Sequence, residues 1–449
     1  MLNHNMDTRA APLVTDYGFD SLLANLALTF DKQYTLTDVT AYSKPLHILL
    51  VTETWTPDIN GVAMSLGRLM QQISLQGHQV SLIRPKPKSS SVDMPIQGLG
   101  TQNLGEQSRS LVLSHDVQVK GMAIPKYTNL QFGLPVYFTI KKQLKRIAPD
   151  VVHIATEGPL GWAALMAAKS LNIPVTTGYH TQFHDFSRHF GLGLLAGPIM
   201  TYFKWFHNAS KATCVPSKKT LHDLQNLGFK RLVEVGRGVD LKWFNPKHRS
   251  DALRAQWGAH THHTVLIMVS RLSPEKQIDW VIDAFKALQQ QQLHRAVKLI
   301  IVGDGPDRDR LQAMAANNKE DIIFAGTQTG QALAEHYASA DAFVFASQVE
   351  TFGNVVVEAM ASGLPVYAFD DAAAGMLVTP DSGRLVTLGD KAGFITAISQ
   401  LPKMQCLKEQ GSHARKSVAQ CSWQRPTEKM LAMFYQALAP KATINRRLL

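Results

Sequence analysis

Cysteine is scarce in this chain: Cys214, Cys406 and Cys421 are the only three in 449 residues, with no C-x-x-C pair and no metal-ligand spacing. That excludes a disulfide-stapled scaffold and reads as reduced packing residues of a cytoplasmic protein. Long apolar runs are missing too. The most membrane-like stretch, Leu192 to Phe203, has 12 residues, where a spanning helix needs about 20, so any membrane contact is expected to be peripheral. The first residues show no basic segment leading into an apolar core and a cleavage site, the signature of a secretory leader. No H-E-x-x-H occurs and no convincing metal-binding Asp-x-Asp closes a strand, so no metal and no other cofactor is expected. Acidic residues are in deficit: 35 Asp and Glu face 46 Lys and Arg, a net charge of +11.

What is present describes a folded globular protein, with 45% hydrophobic and 18% charged residues. The length exceeds what one core usually serves, which makes two domains of about 200 residues each the default. The basic surplus lies in the first half: residues 1–245 hold 24 Lys and Arg against 16 Asp and Glu, the remainder 22 against 19. Lys141, Lys142, Lys145 and Arg146 share one side of a helix expected over about Pro135 to Ala148. Such a face fits an anionic membrane, an acidic substrate or ordinary solvation, and no nucleic-acid module accompanies it.

Strand and helix patterns alternate along the chain. LHILLVTE (Leu46–Glu53), HQVSLIRP, DVVHIAT, IPVTTGYH and ATCVPS read as buried strands of a first doubly wound parallel sheet, with a helix over Ser65 to Leu75. After a linker at Lys242–Asp251 the pattern restarts with HTVLIMVSRL, VKLIIVGDG, DIIFAGT, DAFVFAS and LPVYAF. The expected organisation is an extension over 1–44, two Rossmann-like domains over 45–245 and 246–425 facing a central cleft, and a last helix in 426–449 that crosses back to the first domain.

Several strand ends carry residues suited to phosphate or sugar. VETFGNVVVEAMASGLPVYAFD, Val349 to Asp370, reads as loop, helix and strand, with Glu350 in the loop and Glu358 eight residues on in the helix. A helix start there offers free N–H groups to an anion, and the two carboxylates flank it; the same spacing also suits a helix cap and a solvated helix residue. In VSRLSPEKQ, Arg271 and Lys276 stand close enough after a strand to converge on a diphosphate, or to be surface cations. Gly303 and Gly305 in IIVGDGP allow backbone to approach a ligand or make a tight turn. Gly61 in TPDINGV holds the corresponding loop position of the first half. His180 in YHTQFHDF follows a strand, with His184 four residues on; these two lack the further ligands a zinc site needs.

In this order and spacing the segments resemble retaining nucleotide-sugar glycosyltransferases of the GT-B fold, specifically the large family 4 with its lipid mannosyl-, glucosyl- and sulfoquinovosyltransferases. The resemblance runs from Pro45 to Tyr435 and rests on Glu350 and Glu358, SRLSPEK, GRGVD at Gly236–Asp240 and NGV at Asn60–Val62. It implies that Arg271 and Lys276 bind the donor diphosphate and that Glu358 bonds the donor ribose. Glu350 then stands near the transferred sugar, while Phe352, Gly353, Asn354 and Val355 hold sugar and phosphate. It further implies that His180 contacts the sugar, that Gly61 closes on it, and that Ser270 and Gly303 shape the diphosphate and base pockets. Val62 departs from the family pattern, replacing a second glycine of the first-domain loop. The implied reaction moves a hexose, from GDP-mannose or UDP-glucose, to a lipid or glycolipid such as diacylglycerol at the inner face of the cell membrane. Polysaccharide or lipopolysaccharide assembly, and a nucleotide-sugar epimerase of similar fold, are the alternatives.

Overall fold

The computed structural model describes residues 44–56, 58, 60–87, 111–124, 127–180, 196–291 and 296–439. The extension expected over 1–44, all but its last residue, falls outside these, as do His184 and residues 88–110.

The first sheet is built from β1 (His47–Val51), β2 (Gln79–Pro85), β3 (His115–Val119), β6 (Val151–Ile154), β7 (Val175–Gly178), β8 (Ala212–Val215) and β9 (Leu232–Glu234). All seven run parallel in the order β3-β2-β1-β6-β7-β8-β9. Between β3 and β6 the chain inserts an antiparallel hairpin of β4 (Gly121–Ile124) and β5 (Tyr127–Gly133). Alternation along β1 shows why both faces are covered: Ile48 and Leu50 join one buried cluster, Leu49 and Val51 the other. Helices Tyr137–Ile147 and Pro159–Ser170 cover one face. The other is covered by helix Gly61–Leu75 and by the last helix, Gln424–Leu438, whose Met430, Met433 and Phe434 pack with Leu46, Ile48 and Leu69. Lys429 fastens that helix to Glu234 at 2.6 Å.

The second sheet contains β10 (Thr264–Val269), β11 (Val297–Val302), β12 (Ile322–Gly326), β13 (Ala342–Phe345), β14 (Val366–Phe369) and β15 (Gly383–Val386). Its order, β12-β11-β10-β13-β14-β15, is the doubly wound arrangement of a dinucleotide-binding half, with the order reversing between β10 and β13. Val239 already belongs to this second core, ahead of the stretch read as a linker.

Helix Gly61–Leu75 begins four residues earlier than its apolar periodicity indicated. Asn60 caps it, its side chain accepting from the N–H groups of Val62 and Ala63 at 3.1 and 2.9 Å.

Candidate active site

The loops at the carboxyl ends of β10 and β13 meet beside the reversal in strand order. Lys276, on the first loop, places Nζ 2.5 Å from Glu350 Oε1, 3.2 Å from the Val349 carbonyl and 3.3 Å from Ser347 Oγ on the second. Both charged side chains are over four-fifths shielded, at 16% and 18% exposure, so the cation is fixed before any ligand arrives. Arg271 lies five residues upstream and 42% exposed, donating to Glu275 Oε1 at 2.7 Å and to Ser273 Oγ at 3.3 Å. Burial alone would raise the Glu275 carboxyl, but hydrogen bonds from Ser273 and Arg271 outweigh it and hold the group below its ordinary value.

Gly353 opens helix Asn354–Ala361 in the left-handed region, at φ 86 and ψ 60, where any other residue is strained. Among the described residues no side chain caps this start, and its N–H end, with the macrodipole behind it, faces the same recess as Glu350 and Ser347. Val355 lies in the first turn and packs partly against the second core. Phe352 is buried in that core, and its carbonyl accepts from Ala373 N at 2.7 Å. Phe352 therefore braces the loop from the core while also lining the recess with Glu350. Gly303 is likewise structural on its open side: with φ 133, a Cβ there would collide with the Ser270 carbonyl. The absent side chain lets the end of β11 lie under the Arg271 loop, and it is this loop, not a ligand, that fills the space.

Glu358 sits one turn deeper, accepting a 3.1 Å hydrogen bond from Tyr337 Oη. Burial pushes its carboxyl up to about 7, against the Tyr337 hydroxyl and the Arg68 guanidinium, which lower it. Arg68 belongs to helix Gly61–Leu75 of the first domain, so a charge from across the cleft reaches this glutamate of the second domain.

Other contacts also bridge the domains. Asn354 Nδ2 donates to Ser65 Oγ at 2.9 Å, and a Cβ at Gly61 would stand 3.9 Å from the same nitrogen. Thr351 Oγ1 donates to the His180 carbonyl at 3.0 Å, and Lys219 pairs with Asp371. The Asn354 side chain is thus an interdomain clasp, which leaves its backbone N–H for an anion.

His180 corrects a sequence expectation. Its backbone lies at the cleft, but its ring turns into the first domain, where Nδ1 accepts from Arg237 Nη2 at 2.7 Å and Nε2 is buried with no partner among the described residues. An arginine only donates, so the neutral ring carries its proton on Nε2. Burial first, then the charges of Arg237, His153 and His207, hold its pKa well below the ordinary histidine value. His153, His180 and Cys214 place potential ligand atoms within 4.8 Å of one another. The guanidinium on His180 and the proton it forces onto Nε2 make that trio unsuited to a cation.

The structure therefore joins Lys276, Glu350, Gly353, Asn354 and Gly61 around one recess, sets Arg271 on the adjoining loop and Glu358 beneath, and leaves the His180 ring outside. Ser65, Arg68, Glu275 and Tyr337 were missed from sequence. The i, i+3 spacing of Ser65 and Arg68 puts them on one helix face, but nothing local says that this face meets the other domain.

Comparison with known proteins identifies two family matches that follow one another along the chain. The family described as Glycosyltransferase Family 4 matches residues 59–243, and that described as Glycosyl transferases group 1 matches residues 263–403. A GDP-mannose-dependent alpha-mannosyltransferase of Mycobacterium tuberculosis (strain CDC 1551 / Oshkosh) is 32% identical over 89% of this chain and 98% of its own. An alpha-monoglucosyldiacylglycerol synthase of Streptococcus pneumoniae (strain ATCC BAA-255 / R6) is 28% identical over 72% of this chain and 71% of its own. In fold, the sucrose-phosphate synthase of Thermosynechococcus elongatus superposes with a TM-score of 0.67 at 19% identity, covering 86% of this chain and 97% of that one.

Proposed function

The chain belongs to the family 4 glycosyltransferases of GT-B fold, and from that premise we propose that it transfers a hexose, foremost mannose from GDP-mannose, to a lipid or glycolipid acceptor with retention at the anomeric carbon. UDP-glucose is the second donor to try, on the strength of the glucosyldiacylglycerol synthase among its relatives. The observation that carries the reading is the clamped Lys276, held by Glu350, Val349 and Ser347 beside the uncapped start of helix Asn354–Ala361.

The chemistry follows from where charge develops. The bond between the anomeric carbon and the diphosphate oxygen breaks through an oxocarbenium-like state, so negative charge grows on the leaving diphosphate. Lys276, Arg271 and the helix N–H groups stabilise that charge where it forms, the role a divalent ion plays in other transferases. The acceptor oxygen bonds the anomeric carbon on the face the phosphate leaves, and its proton passes to a phosphate oxygen. Glu350 orients the sugar while pairing with Lys276, and Glu358 takes the ribose hydroxyls. No resident metal is part of the proposal, and turnover undiminished by a chelator is the expected outcome. His180 is left out of the chemistry because its ring faces inward.

The described residues include no helix long and apolar enough to cross a membrane. Contact with a lipid acceptor is proposed to be peripheral, at the inner face of the cell membrane. Helix Tyr137–Ile147 supports it: Phe138 is 83% exposed, with Lys142, Lys145 and Arg146 exposed beside it. Lys141 differs from its neighbours in turning to the Tyr137 ring, 5.7 Å from its centroid.

The test is incubation of purified protein with labelled GDP-mannose or UDP-glucose, with and without extracted membrane lipid. Lipid-dependent release of the nucleoside diphosphate, with label appearing in lipid, is expected. Conversion of the free sugar nucleotide without transfer would replace this reading with an epimerase.

A further inference from the structure

The acceptor side of the cleft contains a carboxyl that the proposed chemistry does not use. In the first sheet the strand order reverses between β1 and β6, and in open parallel sheets the crevice beyond the strand ends at such a reversal is where ligands bind. Glu53 follows β1, and Thr156 and Glu157 follow β6. The Glu53 N–H donates to Thr156 Oγ1 at 3.0 Å, and its Oε1 accepts from Leu160 N at 3.1 Å, in the first turn of helix Pro159–Ser170. Gly158 makes room, because a Cβ there would collide with both Glu53 carboxyl oxygens. Next along the chain, Thr54 Oγ1 accepts from Asn60 Nδ2 at 2.6 Å, which ties this crevice to the helix start whose Gly61 approaches Asn354.

The surroundings define what such a carboxyl recognises. Glu157 is buried and committed, accepting from or pairing with His207 Nε2 at 3.1 Å. Burial, opposed by the Leu160 N–H and reinforced by Glu157, pushes half-buried Glu53 up to about 8. A protonated Glu53 keeps Oε1 on Leu160 and offers O–H at Oε2, donating to one hydroxyl and accepting from another. Tyr202 feels both carboxyls and stacks on Trp205, 6.2 Å between centroids with the indole 46% exposed, giving an apolar wall beside the polar floor. A phosphate diester offers acceptors alone and would use only the O–H of this carboxyl, whereas a hydroxylated head also donates to its oxygen.

We propose that Glu53 is the acceptor-specificity residue, its carboxyl hydrogen-bonding the uncharged polyhydroxyl head group, glycerol or sugar, of the acceptor lipid in the crevice between β1 and β6. This rests on the glycosyltransferase reading and narrows it from lipids in general to those without a phosphate at the head.

The test separates extracted membrane lipid into uncharged and phosphate-bearing fractions and measures GDP release from GDP-mannose, and UDP release from UDP-glucose, against each. Wild type should respond to the uncharged fraction. Glu53→Ala should raise the half-saturating lipid by at least about tenfold, the loss of one buried hydrogen-bond partner, and leave the slow lipid-independent release unchanged. Glu53→Gln, which reproduces a protonated carboxyl, should restore the wild-type lipid dependence. An Ala variant with unaltered lipid dependence, a proportional loss of lipid-independent release, or response to the phosphate-bearing fraction alone would overturn the proposal while leaving the transferase reading intact. No lipid response by wild type to either fraction with either donor would remove the transferase reading and the proposal with it.

Discussion

Lys276 and Glu350, 74 positions apart in the chain, meet at 2.5 Å between the loops that end β10 and β13. In the proposed reaction the pair holds the cation where diphosphate charge grows, and the carboxylate beside it where a positively charged sugar ring forms. Neither group then needs to move for the reaction. Lys276→Ala is expected to lower kcat by about 10²–10³-fold, the range for deleting one preorganised charge-stabilising donor. Glu350→Gln keeps the shape and loses the charge, so it should lower kcat more than it raises the donor KM. Initial rates with GDP-mannose check both, and a Glu350→Gln enzyme turning over at the wild-type rate would remove Glu350 from the reaction.

Gly353 sets the direction of the helix that follows it. At φ 86 an alanine costs about 1–2 kcal/mol and pushes the chain to start the helix elsewhere. Gly353→Ala is expected to weaken nucleotide binding in calorimetry by more than its modest lowering of Tm accounts for, whereas Gly353→Asn, better tolerated in that region, should be milder. Equal binding by both variants and wild type would show that the helix start is not the anion site.

Glu358 gives a pH dependence with a definite sign. Its folded carboxyl titrates at about 7 against an ordinary 4.5, so between these values the folded state binds the proton that the unfolded chain releases. Stability contributed by this group is full below about 4.5 and is lost as pH rises through 7. Glu53, pushed up to about 8, acts in the same direction. Glu358→Gln removes its share, worth roughly 1–3 kcal/mol. Denaturant titrations should therefore show the variant gaining on wild type as pH climbs from 5 to 8. A constant difference across that range would contradict the shift.

Ser65 and Asn354 make a contact that sequence does not foresee. Ser65→Ala removes one neutral hydrogen bond between the domains, worth about 1 kcal/mol, and leaves both Asn354 side-chain ends unpaired among the described residues. Small-angle scattering without donor should show a more open average shape, with the donor KM altered by less than about tenfold. An unchanged scattering profile would mean that other cross-domain contacts set the closure.

The parallel strands were legible because they are buried on both faces and read as continuous apolar runs, β10 and β11 being buried at every position. The edge strand β3 was not, since HDVQV is half exposed and alternates like a surface loop. Glu350, Lys276 and Gly353 could be picked out because their placement at strand ends and a helix start is local in sequence. His180 misled for the opposite reason. Its strand position points to the cleft, while the direction of its ring is decided by Arg237, 57 residues away, and by Gly178, which has no side chain to exclude it. Ser65 and Arg68 act across the domain gap, and such partners depend on how two separately folded halves meet.

The exposed face of helix Tyr137–Ile147 supplies the last prediction. Phe138, Lys142 and Lys145 stand at i, i+4 and i+7, one face of the helix, while Ile140, Leu144 and Ile147 anchor the other in the core. Each exposed cation near an anionic surface contributes about 1 kcal/mol, and a phenyl ring entering the interface adds apolar burial. Replacing Lys142, Lys145 and Arg146 with Gln touches no anchoring residue and no group of the donor recess. The triple variant should lose about 10²-fold in partitioning onto phosphatidylglycerol vesicles at low salt, keep lipid-independent GDP release, and bind neutral phosphatidylcholine vesicles as wild type does. Phe138→Ser should weaken both vesicle types, since its contribution is apolar and independent of lipid charge. If the triple variant and wild type sediment alike with anionic vesicles, this helix is an ordinary solvated face and the membrane contact lies elsewhere in the first domain.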